Sequence, residues 1–208
     1  MDQQECRGPF QNKVKLVLAS GSPRRRELLR GLGLEFEVVV PDVVEFDQAS
    51  GMGPEELTEQ NALLKAEAVA KAFPDAYVIG ADTCVFVEGK ILGKPKDKAE
   101  AITMLKTLSG AWHQVFTAFC IVQGRTRVLS KKIVITKVLL HAIDDAVIEA
   151  YCSTKEPYDK AGGYAVQAVG GFMVKRLEGS YTNVVGLPVS ELVEELWGHH
   201  LIVPCVSV

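Results

Sequence analysis

Residues 14–32 constrain the fold more than any other stretch of this chain. The apolar run VKLVLA is followed by Ser20-Gly21-Ser22, then by a proline, three arginines and leucines at helical spacing. This order predicts a buried strand that turns directly into a helix, with Ser22 as the N-cap and Pro23 in the first turn. Such strand–turn–helix units are typical of α/β folds.

The start of that helix is a candidate anion site. Helix N-termini present unpaired N–H groups and the positive end of the helix dipole, which suit phosphate. The arginines at positions 24–26 oppose that dipole unless an anion supplies negative charge. A solvated basic face explains the same residues, so both interpretations stay open at this point. A P-loop is excluded because the sequence contains no GxxxxGK[ST].

The wider pattern predicts a mixed fold. Short strands alternate with helices in the first half, whereas the long β segments Trp112–Gln123 and Arg125–Leu140 indicate antiparallel pairing. We therefore expect an α/β fold with a twisted mixed sheet, flanking helices and two lobes separated by a central cleft. Residues 1–13 are predicted to be a loose arm and residues 14–208 a single domain. Ligand-binding loops are expected at the strand ends.

Composition argues against several kinds of partner. The 23 basic and 26 acidic residues give a net charge of −3, so no general nucleic-acid surface is expected. No stretch reaches the ~18–20 apolar residues of a membrane span, and the N-terminus lacks the apolar core of a signal peptide. The five cysteines form no CxxC pair, which argues against a disulfide framework or zinc site and favours a reducing compartment.

Asp82 is the sharpest catalytic candidate. It follows the apolar run Tyr77–Ala81, where folding does not require a carboxylate, and it is able to hold a divalent cation or act as a general base. A turn-capping aspartate is the alternative. Lys94, held between a glycine and Pro95, is in a position to meet a phosphate.

The helix that starts at Pro54 carries a second candidate. Leu57, Leu64 and Ala68 are predicted to face the core. Lys65 belongs to the same helix, and by ordinary expectation it is a solvated lysine rather than a ligand.

Two loops add polar groups. Residues 42–53 are acidic and include Glu45, so they form either a surface loop or a metal-binding loop. The segment around Gly162 and Gly163 allows a ligand close to the backbone, although a local salt-bridge cluster is the alternative. Its four polar candidates are Glu156, Asp159, Lys160 and Gln167.

These groups favour metal-assisted phosphate chemistry. The four histidines show no metal-ligand spacing and GxSxG is absent, so a covalent mechanism has little support. Arginines and lysines neutralise phosphates, while carboxylates hold a metal or activate water.

Seven motifs then occur in the order known from one family: ASGSPRRRELL, QNALLKA, GADT, GKPKD, LSGAWHQVFT, EPYDKAGGYAVQ and GSYTNVVGLP. Together they closely resemble the Maf family of nucleotide pyrophosphatases, named after septum-formation inhibitors, from about Val14 to Leu196. The resemblance implies an elongated mixed sheet with a cleft, shared in outline with inosine triphosphatases. It implies hydrolysis of a nucleoside triphosphate to the monophosphate and pyrophosphate with Mg²⁺ or Mn²⁺. A cytoplasmic homodimer is a further expectation from the family.

The resemblance also implies roles for individual residues. Asp82 becomes the proton acceptor, and Glu45 joins it on the metal side. The implied substrate-binding residues are Ser20, Ser22, Arg24, Arg25, Lys65, Lys94, Glu156, Asp159 and Lys160. Within this set, Ser22 and Arg25 are expected to grip phosphate.

The nucleotide subtype is implied by three positions. Arg24, Thr83 and Gln167 match the dTTP/UTP-hydrolysing type, whereas the 7-methyl-GTP type carries Trp, Gln and Glu there. The amide of Gln167 both donates and accepts hydrogen bonds, which suits a pyrimidine edge. Modified pyrimidine triphosphates are further candidate substrates. The alternatives are a nucleotide-binding regulator of cell division without essential catalysis, and an inosine-triphosphatase-like house-cleaning enzyme.

Overall fold

The predicted strand–turn–helix lies in a mixed sheet with helices on both faces. In the computed structural model, which describes residues 6–124 and 127–206, residues 16–19 are a fully buried strand and Ser22 caps the helix that follows. The elements are, in order, β1 (Phe10–Asn12), β2 (Leu16–Ala19), α1 (Pro23–Gly31), β3 (Phe36–Val39), α2 (Pro54–Ala70), β4 (Tyr77–Val87), β5 (Lys90–Leu92), α3 (Lys98–Leu108), β6 (Trp112–Gln123), β7 (Arg127–Leu140), α4 (Asp145–Cys152), β8 (Val174–Glu178), α5 (Tyr181–Val185), α6 (Val189–Gly198) and β9 (Ile202–Pro204), with short 3-10 helices at Gln48–Ser50, Glu156–Asp159, Ala161–Gly163 and Val169–Met173.

Parallel and antiparallel pairing meet at β4. The strands β3, β2 and β4 are parallel, whereas β4, β6, β7 and β8 pair antiparallel in succession. β5 folds back on the end of β4 through Glu88 and Gly89, whose φ angles of 47° and 77° suit a tight hairpin turn. The mixed α/β fold expected from the sequence is confirmed.

Alternate residues of β2 face different helices. Leu16 and Leu18 pack with Leu29 of α1 and with leucines of α6. Val17 and Ala19 point to the other face and pack with the alanines of α2. A third buried cluster includes side chains of α3 and α4 and covers the end of β4 together with parts of β6 and β7. None of the helices in the described part combines the length and apolar character needed to cross a bilayer.

Residues 6–12 differ from the expected loose arm. β1 pairs antiparallel with β9, and Cys6 forms a disulfide with Cys205 at a Cα–Cα distance of 5.8 Å. The expectation of no disulfide is therefore wrong. The two cysteines are 199 residues apart in sequence, and the pairing of the two ends of the chain brings them together.

The inward face of α2 also differs from its prediction. Leu64 and Ala68 are half-buried, whereas Asn61 and Lys65 are buried. Asn61 and Lys65 face the sheet because they find a hydrogen-bond partner on it, and this partner belongs to the candidate site.

Candidate active site

A cavity of about 860 Å³ opens beside β4, where its parallel neighbour stops. β2 ends opposite Gly80, and β5 starts to pair only at Val85, so this edge of β4 is free between them. Asp82 thus lies in the middle of a continuous 11-residue strand, not after its end as the sequence suggested. The predicted site residues that line the cavity are Ser20, Ser22, Arg24, Arg25, Glu45, Lys65, Asp82, Thr83, Lys94, Asp159, Lys160 and Gln167.

Asp82 forms the polar floor of the cavity. It is 8% exposed, and its Oδ1 accepts a hydrogen bond of 2.7 Å from Lys65 Nζ. The same ammonium lies 2.7 Å from Oε2 of Glu45, so one lysine bridges the two carboxylates. Asn61 Nδ2 lies 3.4 Å from Oδ2 of Asp82. Lys65 is 6% exposed, so the solvated-lysine interpretation does not apply.

Gly80 brings α2 close enough for these contacts. A Cβ at this position would lie 2.3 Å from the carbonyl oxygen of Ala62 and 2.8 Å from Cβ of Ala66. Glycine therefore lets the helix backbone rest on the strand two residues before Asp82. A glycine within an apolar strand pattern was the sequence signal for a close backbone contact at this position. The sequence did not show that α2 makes that contact.

Arg25 ties several loops together rather than pointing freely at a ligand. Its Nε donates to the carbonyl of Gly186 at 2.7 Å, and its Nη1 donates to the carbonyl of Ala81 at 2.9 Å. Further hydrogen bonds reach the hydroxyls of Ser20 and Thr83. Burial lowers the pKa of Arg25, and Asp82 opposes that effect. The residue expected to grip phosphate is thus largely engaged in holding the walls of the cavity in place.

Thr83 is held by the same network. Arg25 Nη2 donates to its hydroxyl at 3.0 Å, and that hydroxyl lies 2.9 Å from the hydroxyl of Thr117. Thr117 in turn donates to the carbonyl of Asn183. Since Thr117 has only one proton, Thr83 is the donor in the bond between the two threonines. The cavity wall beside Asp82 is therefore fixed by groups on β4, β6 and α5.

Arg24 crosses from α1 to the loop on the opposite side of the cavity. Its Nη1 contacts Oδ2 of Asp159 at 2.8 Å, and Nη2 donates to the Asp159 carbonyl. Lys160 also pairs with this carboxylate. Burial alone would raise the pKa of Asp159, but the hydrogen bonds from Lys160 and Arg24 outweigh it and lower the pKa. The contact links the two sides of the cavity mouth.

Glu156 is the one predicted site residue that lies outside the cavity. Its carboxylate accepts hydrogen bonds from the N–H groups of Val169 and Gly170 and from the hydroxyl of Tyr151. It thus organises the loop that carries Gln167. Sequence position alone did not distinguish this role from ligand binding.

Two cations remain open to a ligand. Lys94 and Lys96 are exposed, line the cavity and make no ion pair with the residues that the structure describes. Lys96 was not predicted as a site residue, although the GKPKD motif places one lysine on each side of Pro95.

A thiolate nucleophile is not available in the cavity. Cys84 lines it, but burial raises the pKa of its thiol to about 12. A thiol with this pKa is protonated at neutral pH and is a poor nucleophile.

His113 is buried against the hydroxyl of Tyr164, and burial lowers its pKa to about 4. It is therefore neutral at physiological pH.

Glu45 and Asp82 could hold a divalent cation with help from a ligand. Within residues 6–124 and 127–206, no group of three or more His, Cys, Asp or Glu side chains converges in a metal-binding arrangement. Two carboxylates do converge, on either side of Lys65 Nζ. Mg²⁺ is commonly held by one or two carboxylates, waters and substrate phosphates, so the donor set fits such an ion when phosphates complete it.

Comparison with known proteins identifies close relatives. The sequence model of the family described as "Maf-like protein" matches residues 15–199. The dTTP/UTP pyrophosphatase of Syntrophus aciditrophicus is 48% identical over 182 residues, which cover 88% of this chain and 88% of the relative. The dTTP/UTP pyrophosphatase of Oleidesulfovibrio alaskensis is 43% identical over 198 residues, which cover 95% and 90%. Among solved structures, the Staphylococcus aureus Ham1 protein is a distant likeness, with 15% identity, coverage of 89% and 99%, and a TM-score of 0.47.

Proposed function

Because this chain belongs to the Maf family, we propose that it hydrolyses nucleoside triphosphates, above all dTTP and UTP, to the monophosphate and pyrophosphate. The observation that carries the proposal is the buried carboxylate of Asp82, held by Lys65 at the floor of a cavity with exposed lysines at its rim. The names of the relatives support the substrate class, and the site offers the chemistry that this substrate requires.

The triphosphate is proposed to lie between the N-terminus of α1 and the GKPKD loop. Its negative charges call for cations and N–H donors. Lys94 and Lys96 are exposed and supply charge without having to leave an ion pair with any residue in the described part of the chain. Ser20 and Ser22 lie at the start of α1, where the helix dipole favours an anion. These groups draw charge away from the phosphorus that is attacked.

Asp82 is proposed to accept the proton of the attacking water. The oxygen of this water bonds to the α-phosphorus, and the bond from that phosphorus to the bridging oxygen of pyrophosphate breaks. Lys65 holds the carboxylate in a fixed orientation at 2.7 Å. Glu45 and Asp82 would hold a divalent cation, Mg²⁺ or Mn²⁺, which would neutralise negative charge at the phosphates.

Nucleotide selection is proposed to involve Arg24, Thr83 and Gln167. Gln167 is exposed on the cavity side, where its amide can meet a base edge. Arg24 is oriented by Asp159, and Thr83 is oriented by Arg25. The contribution of Thr83 is therefore expected to be the shape and polarity of the wall, since its hydroxyl already has protein partners.

The proposal extends to location and assembly. We expect a cytoplasmic homodimer in which each domain has two lobes. These expectations rest on the family resemblance. Light scattering coupled to size-exclusion chromatography measures the oligomeric state directly.

Pyrophosphate release from a panel of nucleotides tests the proposed function. dTTP and UTP should be hydrolysed faster than ITP or 7-methyl-GTP in the presence of Mg²⁺ or Mn²⁺. Asp82→Asn should lower kcat by at least about 10²-fold, the ordinary contribution of a general base, while circular dichroism stays unchanged. An equally active Asp82→Asn protein refutes the role of Asp82. A wild-type protein that releases no pyrophosphate from any nucleotide of the panel refutes the function.

A further inference from the structure

Asn61 makes contacts that no part of the proposed chemistry uses. It lies on α2, one turn before Lys65, and is 2% exposed. Its Oδ1 accepts a hydrogen bond of 2.8 Å from the backbone N–H of Phe46, and its Nδ2 donates to the carbonyl of Phe46 at 3.0 Å. The same Nδ2 faces Asp82 at 3.4 Å. One buried amide thus holds the backbone of the acidic loop and contacts the catalytic carboxylate.

Phe46, whose backbone is held by Asn61, directly follows Glu45 in the sequence. Residues 44–51 are all exposed, so packing does little to fix the conformation of this loop. Glu45 reaches Lys65 at 2.7 Å, but its side chain is 48% exposed. An exposed ion pair alone is weak and tolerates many geometries. The two hydrogen bonds from Asn61 define the position of the backbone beside Glu45, as a neighbouring strand would.

We propose that Asn61 is a positioning residue that fixes Glu45 beside Asp82 and thereby builds the divalent-cation site. The inference rests on the proposed function, since it assigns Glu45 and Asp82 to that cation. Without Asn61, both polar groups of the Phe46 backbone can turn to water, and Glu45 moves with them. Asp82 keeps Lys65 and stays in place. The loss therefore falls on cation affinity more than on the fold.

Cation binding measured without turnover tests this directly. The probe is Mn²⁺, titrated into the protein with an α,β-methylene analogue of UTP, and free Mn²⁺ is followed by electron paramagnetic resonance. Asn61→Ala should weaken Mn²⁺ binding by about 10–100-fold, the usual effect of removing a group that orients a metal ligand. In turnover assays, excess Mn²⁺ should restore most of kcat. A merely structural loss would not respond to the ion in this way.

Asn12 offers a matched control. Its side chain makes the same two-way clamp on the backbone of Glu35, with hydrogen bonds of 2.6 and 3.0 Å, away from the cavity. Asn12→Ala should leave Mn²⁺ affinity at the wild-type value. If it weakens Mn²⁺ binding as much as Asn61→Ala does, the effect is general destabilisation and the proposal fails.

A double-mutant cycle identifies the residue through which Asn61 acts. Glu45→Gln should weaken Mn²⁺ binding, and adding Asn61→Ala to it should cause little further loss. Additive losses contradict the proposal. If Asn61→Ala does not fold, Asn61→Gln, whose longer side chain misplaces both hydrogen bonds, takes its place in the cycle. A wild-type protein that binds no Mn²⁺ refutes the assigned cation site. Wild-type affinity in Asn61→Ala refutes the positioning role alone.

Discussion

Replacing Gly80 with alanine tests whether the contact of α2 with β4 creates the site. The new Cβ would lie 2.3 Å from the carbonyl oxygen of Ala62, and real Cβ atoms do not approach closer than 3.0 Å, so the helix must retreat by about 0.7 Å. That oxygen is main-chain and cannot rotate away. The hydrogen bond between Lys65 and Asp82, now 2.7 Å, would stretch by up to a similar amount.

Two quantities follow for Gly80→Ala. Overpacking of this size lowers the free energy of unfolding by about 1–3 kcal/mol. A shift approaching 1 Å in a catalytic group lowers the rate by up to ~10²-fold. Urea denaturation measures the first effect and pyrophosphate release from UTP the second. The activity must be assayed well below the melting temperature, so that unfolding does not contribute to the loss.

Gly31→Ala is the control for Gly80→Ala. Gly31 ends α1, and a Cβ there meets no atom within 4 Å. Its stability should change by no more than about 1 kcal/mol, in the stabilising direction, and its activity should not change. A Gly80→Ala protein that is as stable and as active as this control would refute the reasoning.

Three further predictions concern the buried and paired ionisable groups. Arg25→Lys should lower the free energy of unfolding by about 2–4 kcal/mol, because one ammonium leaves buried carbonyls without donors; unchanged urea denaturation contradicts this. The pKa of His113 is about 4 in the folded protein against an ordinary 6.5, so the unfolded chain binds the extra proton between these values. Stability should therefore be lost as the pH is lowered from about 6.5 to about 4, by up to about 1.4 kcal/mol per pH unit, and a His113→Gln variant that keeps the full slope rules out His113 as its source. Asp159→Asn should raise the KM for UTP by up to about fivefold with little change in kcat, since an exposed ion pair contributes up to ~1 kcal/mol to orienting Arg24; a fall in kcat alone would place Asp159 in the chemical step instead.

Local patterns in the sequence predicted the elements whose signals are themselves local. Ser22 and Pro23 predicted the start of α1, where the hydroxyl of Ser22 accepts a hydrogen bond from the N–H of Arg25. Each of these signals acts over three or four residues. The helix start that such a signal specifies therefore depends little on the rest of the chain.

The buried polar face of α2 was not predictable in the same way. Asn61 and Lys65 belong to classes that normally face water, so a pattern based on hydrophobicity places them outside. Their burial depends on Phe46 and Asp82, which the sheet brings to them. The Cys6–Cys205 disulfide was not predicted for the same reason, because its formation depends on where the two ends of the chain meet.

The candidate site was predictable as a set but not in its internal roles. Nearly all of the site residues that were predicted from the motifs line one cavity. The motifs did not distinguish Arg25, which is engaged with backbone carbonyls, from Lys94, which is exposed. Hydrogen-bond partners made that distinction, and they come from segments more than 50 residues away in sequence, such as Ala81 and Gly186.

Hydrolysis of UTP in water enriched in ¹⁸O tests the central claim most directly. Attack by water on the α-phosphorus forms the new oxygen bond on the monophosphate. Mass spectrometry should therefore find one ¹⁸O atom in UMP and none in the pyrophosphate, and the Asp82→Asn protein should yield neither product at a comparable rate. Label in the pyrophosphate, or release of orthophosphate and UDP, would contradict the proposed reaction.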